Sequence, residues 1–533
     1  MYAPQGQFMN IDDNLLIYNN LKVQDLNLEN IKEIFTTYDP ELYIPLTLLS
    51  YQLEYHFAGE NPSVFHVTNL IVHILNALLV LVLFRFFSKT WYVPFLTAIL
   101  FAIHPINTEA VMWISGRKDL LSAFFFLGSL VLYCRYITCG SRKAYYGSLG
   151  AFVFALMSKI TAVTLPLVAL IIDDLHPTNI GKNHRRNLQM YCIPAILFLA
   201  IGMMGKSLGV FVLGYFEAFL MACKGVYFYF GKVILPTNLS MSYEQLSPIN
   251  ILKEDFLIPV LILIIIAVIT LSSRAFSKVF SFGMLWFGIT LLPNIGNSVK
   301  GVEKTLYFAS DRYIYIPSIG LFFIVASGIA WALHKSSHQQ KWLLSFVTVI
   351  ILGAYGITAQ SYSVLWLTPK QYHERIVRLY PESILPRVLI GMSYIREENN
   401  EDAIEHFQKA TERKPKYANP VAHLGLALVK TGEVDLGIEK LEQALELNDK
   451  HAYSYIYLSY AYMLKNNDAK ARELLTKALE KNSKNAKVHQ MYGTLEHRSG
   501  NVEAAEDHLR KSIQIDNTSA QAKSALARLL RGE

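Results

Sequence analysis

Apolar residues follow two different rhythms along this chain. Between residues 67 and 362 they gather in long runs with few charges, hydrophobic on every face of a helix. A helix of that kind is stable only inside a large core or in lipid. The runs lie near 67–88, 92–105, 119–137, 145–158, 160–173, 188–205, 256–272, 278–296, 313–333 and 342–362, which predicts about ten membrane spans. Several fall short of the ~20 residues that cross ~30 Å of hydrocarbon, so the span ends are loosely defined. Residues 207–250 break the rhythm. The stretch 213–235 is apolar and aromatic but carries Glu217, Lys224 and Lys232, which suits an interfacial or re-entrant segment better than a full span.

From residue 369 onward a 34-residue period takes over. Gly391, Tyr394, Ala403, Phe407, Ala410 and Pro415 open it. Shifts of 34 give Gly425, Leu428, Gly437, Leu441 and Ala444, then Ser459, Tyr462, Ala471, Leu475 and Ala478, then Gly493, Ala505, Leu509 and Ser512. The small residues let two helices of one repeat approach, and the large ones fill the groove between repeats. This is the tetratricopeptide (TPR) pattern of a stacked helical solenoid. It places repeats near 384–417, 418–451, 452–485 and 486–518, with a polar capping helix at 519–531. Such arrays hold peptides or proteins in a concave groove, to which Tyr453 and Tyr460 are assigned; packing between repeats is an equal use for them. A plain assembly spacer is the bland alternative for the whole array.

Composition agrees with the split. Of 533 residues, 52% are hydrophobic and 17% charged, against roughly a quarter charged in soluble domains. Three regions follow: a polar 1–66, a membrane domain 67–365 and the repeats 369–533. The fold class is all-α, a polytopic membrane helix bundle followed by a TPR α-solenoid. A net charge of +7 without a concentrated basic patch argues against nucleic-acid binding. The cysteines, Cys134, Cys139, Cys192 and Cys223, lie in or beside apolar segments and imply neither a disulfide framework nor a zinc site. The opening MYAPQGQFMN does not read as a signal peptide. Loop charges orient the spans. The junctions at Arg85/Lys89, Arg135/Arg142/Lys143, Lys182/Arg185/Arg186, Arg274/Lys278 and Lys335/Lys341 belong in the cytoplasm by the positive-inside rule. That puts 1–66, 104–118, 297–312 and the repeats outside.

Charges at membrane depth are costly and tend to serve a function. Arg117 and Lys118 in WISGRKD, Lys159 in MSKIT, Lys206, and Arg312 in SDRYIYIP fall on the outer side against that bias. Such a set suits an anionic headgroup such as a lipid phosphate. Scattered ion pairs, for example Arg117 with Asp119 and Arg312 with Asp311, are the plainer alternative. In FMNIDDN, Asp12 and Asp13 stand before Leu15 and Leu16. Paired carboxylates can act as a general base or hold a metal, but on spacing alone turn or N-cap chemistry is the stronger reading. His66, Asn69, His73 and Asn76 share one helix face, where interhelical hydrogen bonding is the ordinary role.

Together these segments resemble the transmembrane-and-TPR-repeat O-mannosyltransferase family and its bacterial relatives, which join a GT-C glycosyltransferase membrane domain to TPR repeats. The resemblance rests on FMNIDDN, YIPLTLLSYQLEYHFAGENPSVFHVTNLIVHILN, LFAIHPINTEAVMWISGRKDLLSAFFFL, SKITAVTLPLVALIID, LWFGITLLPNIG and SDRYIYIPSIGLF. The ordered run His104-Pro105, Glu109, Gly116-Arg117-Lys118-Asp119 is its specific part. It implies a polyprenyl-phosphate sugar as donor and a catalytic acidic pair in the first outer loop. Carried over, Asp12 is the base that activates an acceptor hydroxyl and Asp13 its neighbour. Arg117, Lys118, Lys159 and Arg312 would bind the leaving lipid phosphate. His66, Asn69, His73, His104 and Glu109 would line the cavity. No metal or other cofactor is expected. Family members place a spanning helix before the acidic pair; here eleven residues precede Asp12, and ten spans plus that helix would make eleven.

The expectation is a membrane glycosyltransferase that moves a mannose-like hexose to a protein hydroxyl on the non-cytoplasmic face, with the repeats recruiting the acceptor. The first rival is a non-catalytic, membrane-anchored TPR scaffold. The second, a transporter of lipid-linked sugar, finds no inverted repeat in its support. The bacterial inner membrane with a periplasmic array is the preferred setting, and the endoplasmic reticulum membrane the alternative.

Overall fold

The computed structural model describes all residues except 1–4, 10–11, 19, 39–41, 176–183, 206–210, 246, 274–277, 299, 303–304, 482–484, 516–518 and 532–533. Lys206 lies outside the described residues. The chain divides into two compact units, one of residues 1–8 and 26–367 and one of 9–25 and 368–533. The polar region 1–66 is thus shared between them.

In the first unit the apolar runs become helices. Among the described residues, seven are long and apolar enough to cross a membrane: Pro62–Arg85, Ile114–Cys139, Asn187–Met204, Glu254–Ser272, Lys278–Ile295, Ser318–Lys335 and His338–Val364. The pair Tyr92–Ile103 and Pro105–Met112, bent by 52°, makes an eighth if it is one span. The break falls where Pro105 lacks an N–H to continue the ladder, and the His104 ring accepts the Ile106 N–H there instead. The runs 145–158 and 160–173 also form helices, at Arg142–Ser158 and, after a tight turn at Ile160–Thr164, at Leu165–Leu175. The chain is a multi-pass membrane protein. The stretch that broke the rhythm holds a helix at Tyr215–Ile234, outside the set of seven, and its Lys224 pairs with Asp255 at 3.1 Å.

Lys278–Ser298 and Ser318–Lys335 cross at Gly283 and Gly320. A Cβ added to either glycine would strike the other's carbonyl oxygen. Where lipid is as apolar as the side chains, small residues and close backbone packing hold helices together. A small antiparallel sheet, which the hydrophobic pattern did not predict, runs in the order Phe211–Val212, Lys300–Val302, Thr305–Ala309, Tyr243–Glu244. Its strands are too short to show a period of two. They lead the chain into the turn Asp311–Ile314.

In the second unit the four repeats form the helix pairs Ile384–Arg396 with Asn400–Arg413, Ala418–Lys430 with Val434–Leu447, Ala452–Leu464 with Asp468–Lys481, and Ala486–Arg498 with Val502–Ile515. Ala520–Arg531 follows the fourth pair, and Pro369–Leu379, N-capped by the Thr368 hydroxyl, precedes the first repeat. A Cβ on Gly391 would enter the ring of Phe407, and one on Gly425 would lie 2.9 Å from the Gly437 carbonyl oxygen. The turn inside each repeat places one residue in the left-handed region: Glu398, Gly432, Asn466 and Gly500, again 34 apart. Glycine and asparagine take that conformation at little cost. Each buried cluster joins adjacent repeats, as Phe407 with Leu424 and Leu428, then Leu441 with Leu458.

Candidate functional site

The largest buried charge of the membrane unit is spent inside the fold. Arg117 is fully buried and makes a two-pronged bridge to Glu54 at 3.1 and 3.0 Å. It also donates to the Phe65 carbonyl at 2.8 Å and, through Nε, to Asn69 Oδ1. The Tyr51 ring lies beneath it, 5.2 Å away. Its partner is therefore Glu54 and not Asp119. One signal was present in the sequence: Ser50 and Glu54 stand four apart on the helix Pro45–Ala58, where Glu54 is the one carboxylate, and Ser50 also lies within reach of the guanidinium at 3.4 Å.

The polar stripe on Pro62–Arg85 joins helices. Asn69 donates to the Trp113 carbonyl at 3.0 Å, and Asn76 to that of Leu120 at 3.0 Å. The His73 ring meets the Tyr315 hydroxyl at 2.7 Å and the Ala102 carbonyl at 3.0 Å. His66 packs against Gly6, and His104 meets the Val233 carbonyl at 3.0 Å. His66, Asn69, His73, Asn76 and His104 line neither of the clefts described next, although Tyr315 lines the smaller.

The remaining charges converge around the turn after the small sheet. Glu109, fully buried on Thr108–Met112, bridges to Arg312 Nη1 at 2.6 Å. It also accepts the Arg312 backbone N–H at 3.0 Å and the Ser310 hydroxyl at 3.2 Å. Arg312 thus pairs with Glu109 and not with its neighbour Asp311. Asp311 accepts the Tyr243 hydroxyl at 2.8 Å, and burial, reinforced by the charge of Glu109, holds its carboxyl well above the ordinary carboxylate range. The guanidinium of Arg312 lies 4.8 Å from the Trp113 ring centre, and the Lys118 ammonium lies 5.2 Å from the same ring. Lys159, released from helix geometry at the end of Arg142–Ser158, bridges to Asp119 at 2.5 Å.

Two clefts meet at Lys159. The larger holds about 200 Å³. Its wall carries Lys118 and Lys159 together with Ile160, Val163, Phe198 and Met203. The smaller, about 10 Å³, has a polar side of Asp119, Ser122, Lys159, Thr290, Asn294 and Arg312 and is closed by Tyr313, Tyr315, Ile316 and Pro317 among others. The structure thus brings together Lys118, Lys159 and Arg312 and leaves Arg117 apart as a structural ion. Asp12 and Asp13 fall in the stretch 9–25, which belongs to the other unit. Asp13 is fully buried and accepts the Met9 N–H at 2.7 Å, while Asp12 is half-buried. In the repeats, Tyr453 is 47% exposed, which suits contact with a ligand. Tyr460 is half-buried and packs against the clusters on both sides of its repeat.

Helices that span a membrane, clefts lined by cations, and stacked helix pairs define a multi-pass membrane protein with a TPR array. Tetratricopeptide-repeat families match residues 387–417, 422–486 and 469–529. Within that class, the chain is similar to proteins named protein O-mannosyl-transferases. Mouse (Mus musculus) protein O-mannosyl-transferase TMTC1 is 34% identical over 151 residues, 26% of this chain and 16% of the relative. Human (Homo sapiens) protein O-mannosyl-transferase TMTC2 is 31% identical over 185 residues, 31% of this chain and 21% of the relative. The Caenorhabditis elegans protein O-mannosyl-transferase F38B6.6 is 26% identical over 309 residues, 53% of this chain and 42% of the relative. The matches therefore span less than half the length of these relatives. Among solved structures, a thermophilic TPR protein of Thermus thermophilus aligns with 34% of this chain and 95% of its own, at 16% identity and a TM-score of 0.29.

Proposed function

We propose that the chain is a GT-C-like membrane glycosyltransferase that moves a mannose-like hexose from a polyprenyl-phosphate donor to a protein hydroxyl on the non-cytoplasmic face. The observation that carries this reading is the cleft of about 200 Å³, with Lys118 and Lys159 on an otherwise largely apolar wall. A ligand with an anionic head and a hydrocarbon tail matches both halves of that wall. The names of the relatives, protein O-mannosyl-transferases, supply the sugar and the acceptor class. The repeats give an acceptor protein a surface on which to dock.

In the reaction, an acceptor oxygen bonds to the anomeric carbon while the bond from that carbon to the phosphate oxygen breaks. The electron pair leaves with the phosphate, whose charge the ammonium groups stabilise. The hydroxyl proton passes to a carboxylate. Asp13 already holds the Met9 N–H in a buried site, so the family order and the exposure of the pair both favour Asp12 as the base. Single displacement inverts the anomeric centre. A periplasmic or a lumenal face would serve equally.

The test is transfer from polyprenyl-phosphate mannose by the full chain in membranes. Lys118→Gln should raise the KM for donor ~10- to 10²-fold, the size of one lost charge-assisted hydrogen bond, and leave turnover at saturation largely intact. Asp12→Asn should insert and retain donor but lose ~10²–10⁴-fold of transfer. Asp13→Asn should cost less transfer. Cysteine labelling should find Asp12 and the repeats on the same, non-cytoplasmic side. A correctly inserted chain that neither binds nor uses donor is a membrane-anchored scaffold instead.

A further inference from the structure

The small cleft beside Lys159 has a lopsided hydrogen-bonding capacity. The Ser122 hydroxyl donates to the Ala155 carbonyl at 3.2 Å, and the Thr290 hydroxyl donates to that of Trp286 at 2.7 Å. Both protons are used, so these groups offer the cleft lone pairs. Asn294 donates one of its two amide N–H groups to the Tyr313 carbonyl at 3.0 Å, and its Oδ1 has no partner. Asp119 gives Oδ1 to Lys159, and its Oδ2 has no partner. Asp119 is 7% exposed and Asn294 6%. Buried acceptors without donors are costly, and native proteins rarely leave them so. The cations on the wall already serve carboxylates, Lys159 that of Asp119 and Arg312 that of Glu109. An occupant that brings its own O–H or N–H proton would give Asp119 Oδ2 or Asn294 Oδ1 the donor each lacks. The volume of about 10 Å³ admits one group the size of a water or a hydroxyl.

We infer that this cleft receives one hydroxyl of the donor's sugar and reads which hexose the lipid carries. The inference rests on the glycosyltransferase reading. If the lipid phosphate sits against Lys159 on the apolar side, the sugar bonded to that phosphate lies next to the polar side, because Lys159 and Thr161 line both clefts. A hydroxyl that donates to Asp119 Oδ2 or Asn294 Oδ1 supplies what the lining lacks. An epimer or a deoxy sugar would leave those acceptors unpaired, and sites built to pair a substrate hydroxyl reject such analogues strongly.

The test uses the full chain in lipid nanodiscs and measures binding and hydrolysis of dolichyl-phosphate mannose. The comparison donors are its glucose counterpart and the 2-, 3-, 4- and 6-deoxy donors. The wild-type chain should disfavour one deoxy donor by ~10²-fold or more. Thr290→Val removes a hydroxyl, and Asp119→Asn replaces one carboxylate oxygen by an N–H donor, both at constant shape; each should shrink that ratio at least ~10-fold. Thr290→Ser should restore it. The wild-type deoxy series stands even where a variant fails to insert: equal use of all deoxy donors would assign the cleft to water and overturn the inference. So would inserted Thr290→Val and Asp119→Asn chains that keep the wild-type ratio. A wild-type chain that uses no donor at all would overturn the glycosyltransferase reading itself, and this inference with it.

Discussion

The two units use charge in opposite ways. In the repeats most ion pairs lie on the solvent face, as Glu473 with Lys470 and Lys477, or Lys465 with Asp435, with the buried Glu496 of Arg472–Glu496 the exception among the described residues. They join neighbouring turns or adjacent repeats, water can replace either partner, and such pairs contribute little. In the membrane unit three pairs lie inside and join distant segments, Arg117 with Glu54, Arg312 with Glu109 and Lys159 with Asp119, while Lys224 with Asp255 stays open to solvent on one side. No water waits there to take over a lost partner. The solenoid tolerates change because each repeat answers only to its neighbours. The membrane unit rests on a few ions that cannot be removed singly.

Four substitutions sharpen that contrast. Arg117→Ala leaves Glu54 without its partner and should destabilise the membrane unit by about 3–5 kcal/mol. Yield of folded chain in membranes and thermal unfolding in detergent would show it; a wild-type midpoint would mean that the pair carries no weight. Next comes Gly425→Val, which forces a branched side chain against Leu441 and the Gly437 carbonyl. A loss of about 1–3 kcal/mol is expected, confined to the second repeat and its neighbours in hydrogen exchange.

The third is conditional on pH. His423 is buried between the rings of Phe407 and Tyr457, and burial, helped by His451, pushes it down to about 3. In the unfolded chain it titrates near 6.5. Acid therefore loads the unfolded chain first, and repeat stability that is complete above about pH 6.5 drains away toward pH 3. His423→Gln should flatten that profile in thermal melts, and an unchanged profile would assign the acid sensitivity elsewhere. The smallest effect belongs to Lys465→Ala, which should leave the melting curve where it was; a clear shift would show that surface pairs matter more in this array than the contrast allows.

How much of this was legible beforehand depended on sequence distance. The repeats were readable in full, because Gly391 against Phe407, or Gly425 against Leu441, are contacts within one period and recur in register. The capping helix expected at 519–531 is found at Ala520–Arg531. Apolar runs likewise announced their helices, since hydrophobicity is a local property. Ion-pair partners were not readable. Glu54 lies 63 residues before Arg117, and Glu109 lies 203 before Arg312, so adjacency in the chain suggested Asp119 and Asp311 wrongly. The helix Pro369–Leu379 has no small residue at the repeat positions and gave no period to detect. The two clefts lay beyond the sequence too, because their walls come from segments far apart in the chain.

The crossing of Gly283 with Gly320 has a mechanical consequence. Asn294 stands eleven residues beyond Gly283 on the same helix, a lever arm of ~16 Å at ~1.5 Å per residue. A methyl group inserted at the fulcrum need only tilt that arm by ~4° to swing its far end by ~1 Å, a displacement that can cost an active site ~10²-fold. The glycine pair therefore acts at a distance as a gauge: it sets the spacing of groups it never touches, and Gly283→Ala would report on the geometry of the polar cleft from the opposite end of the helix.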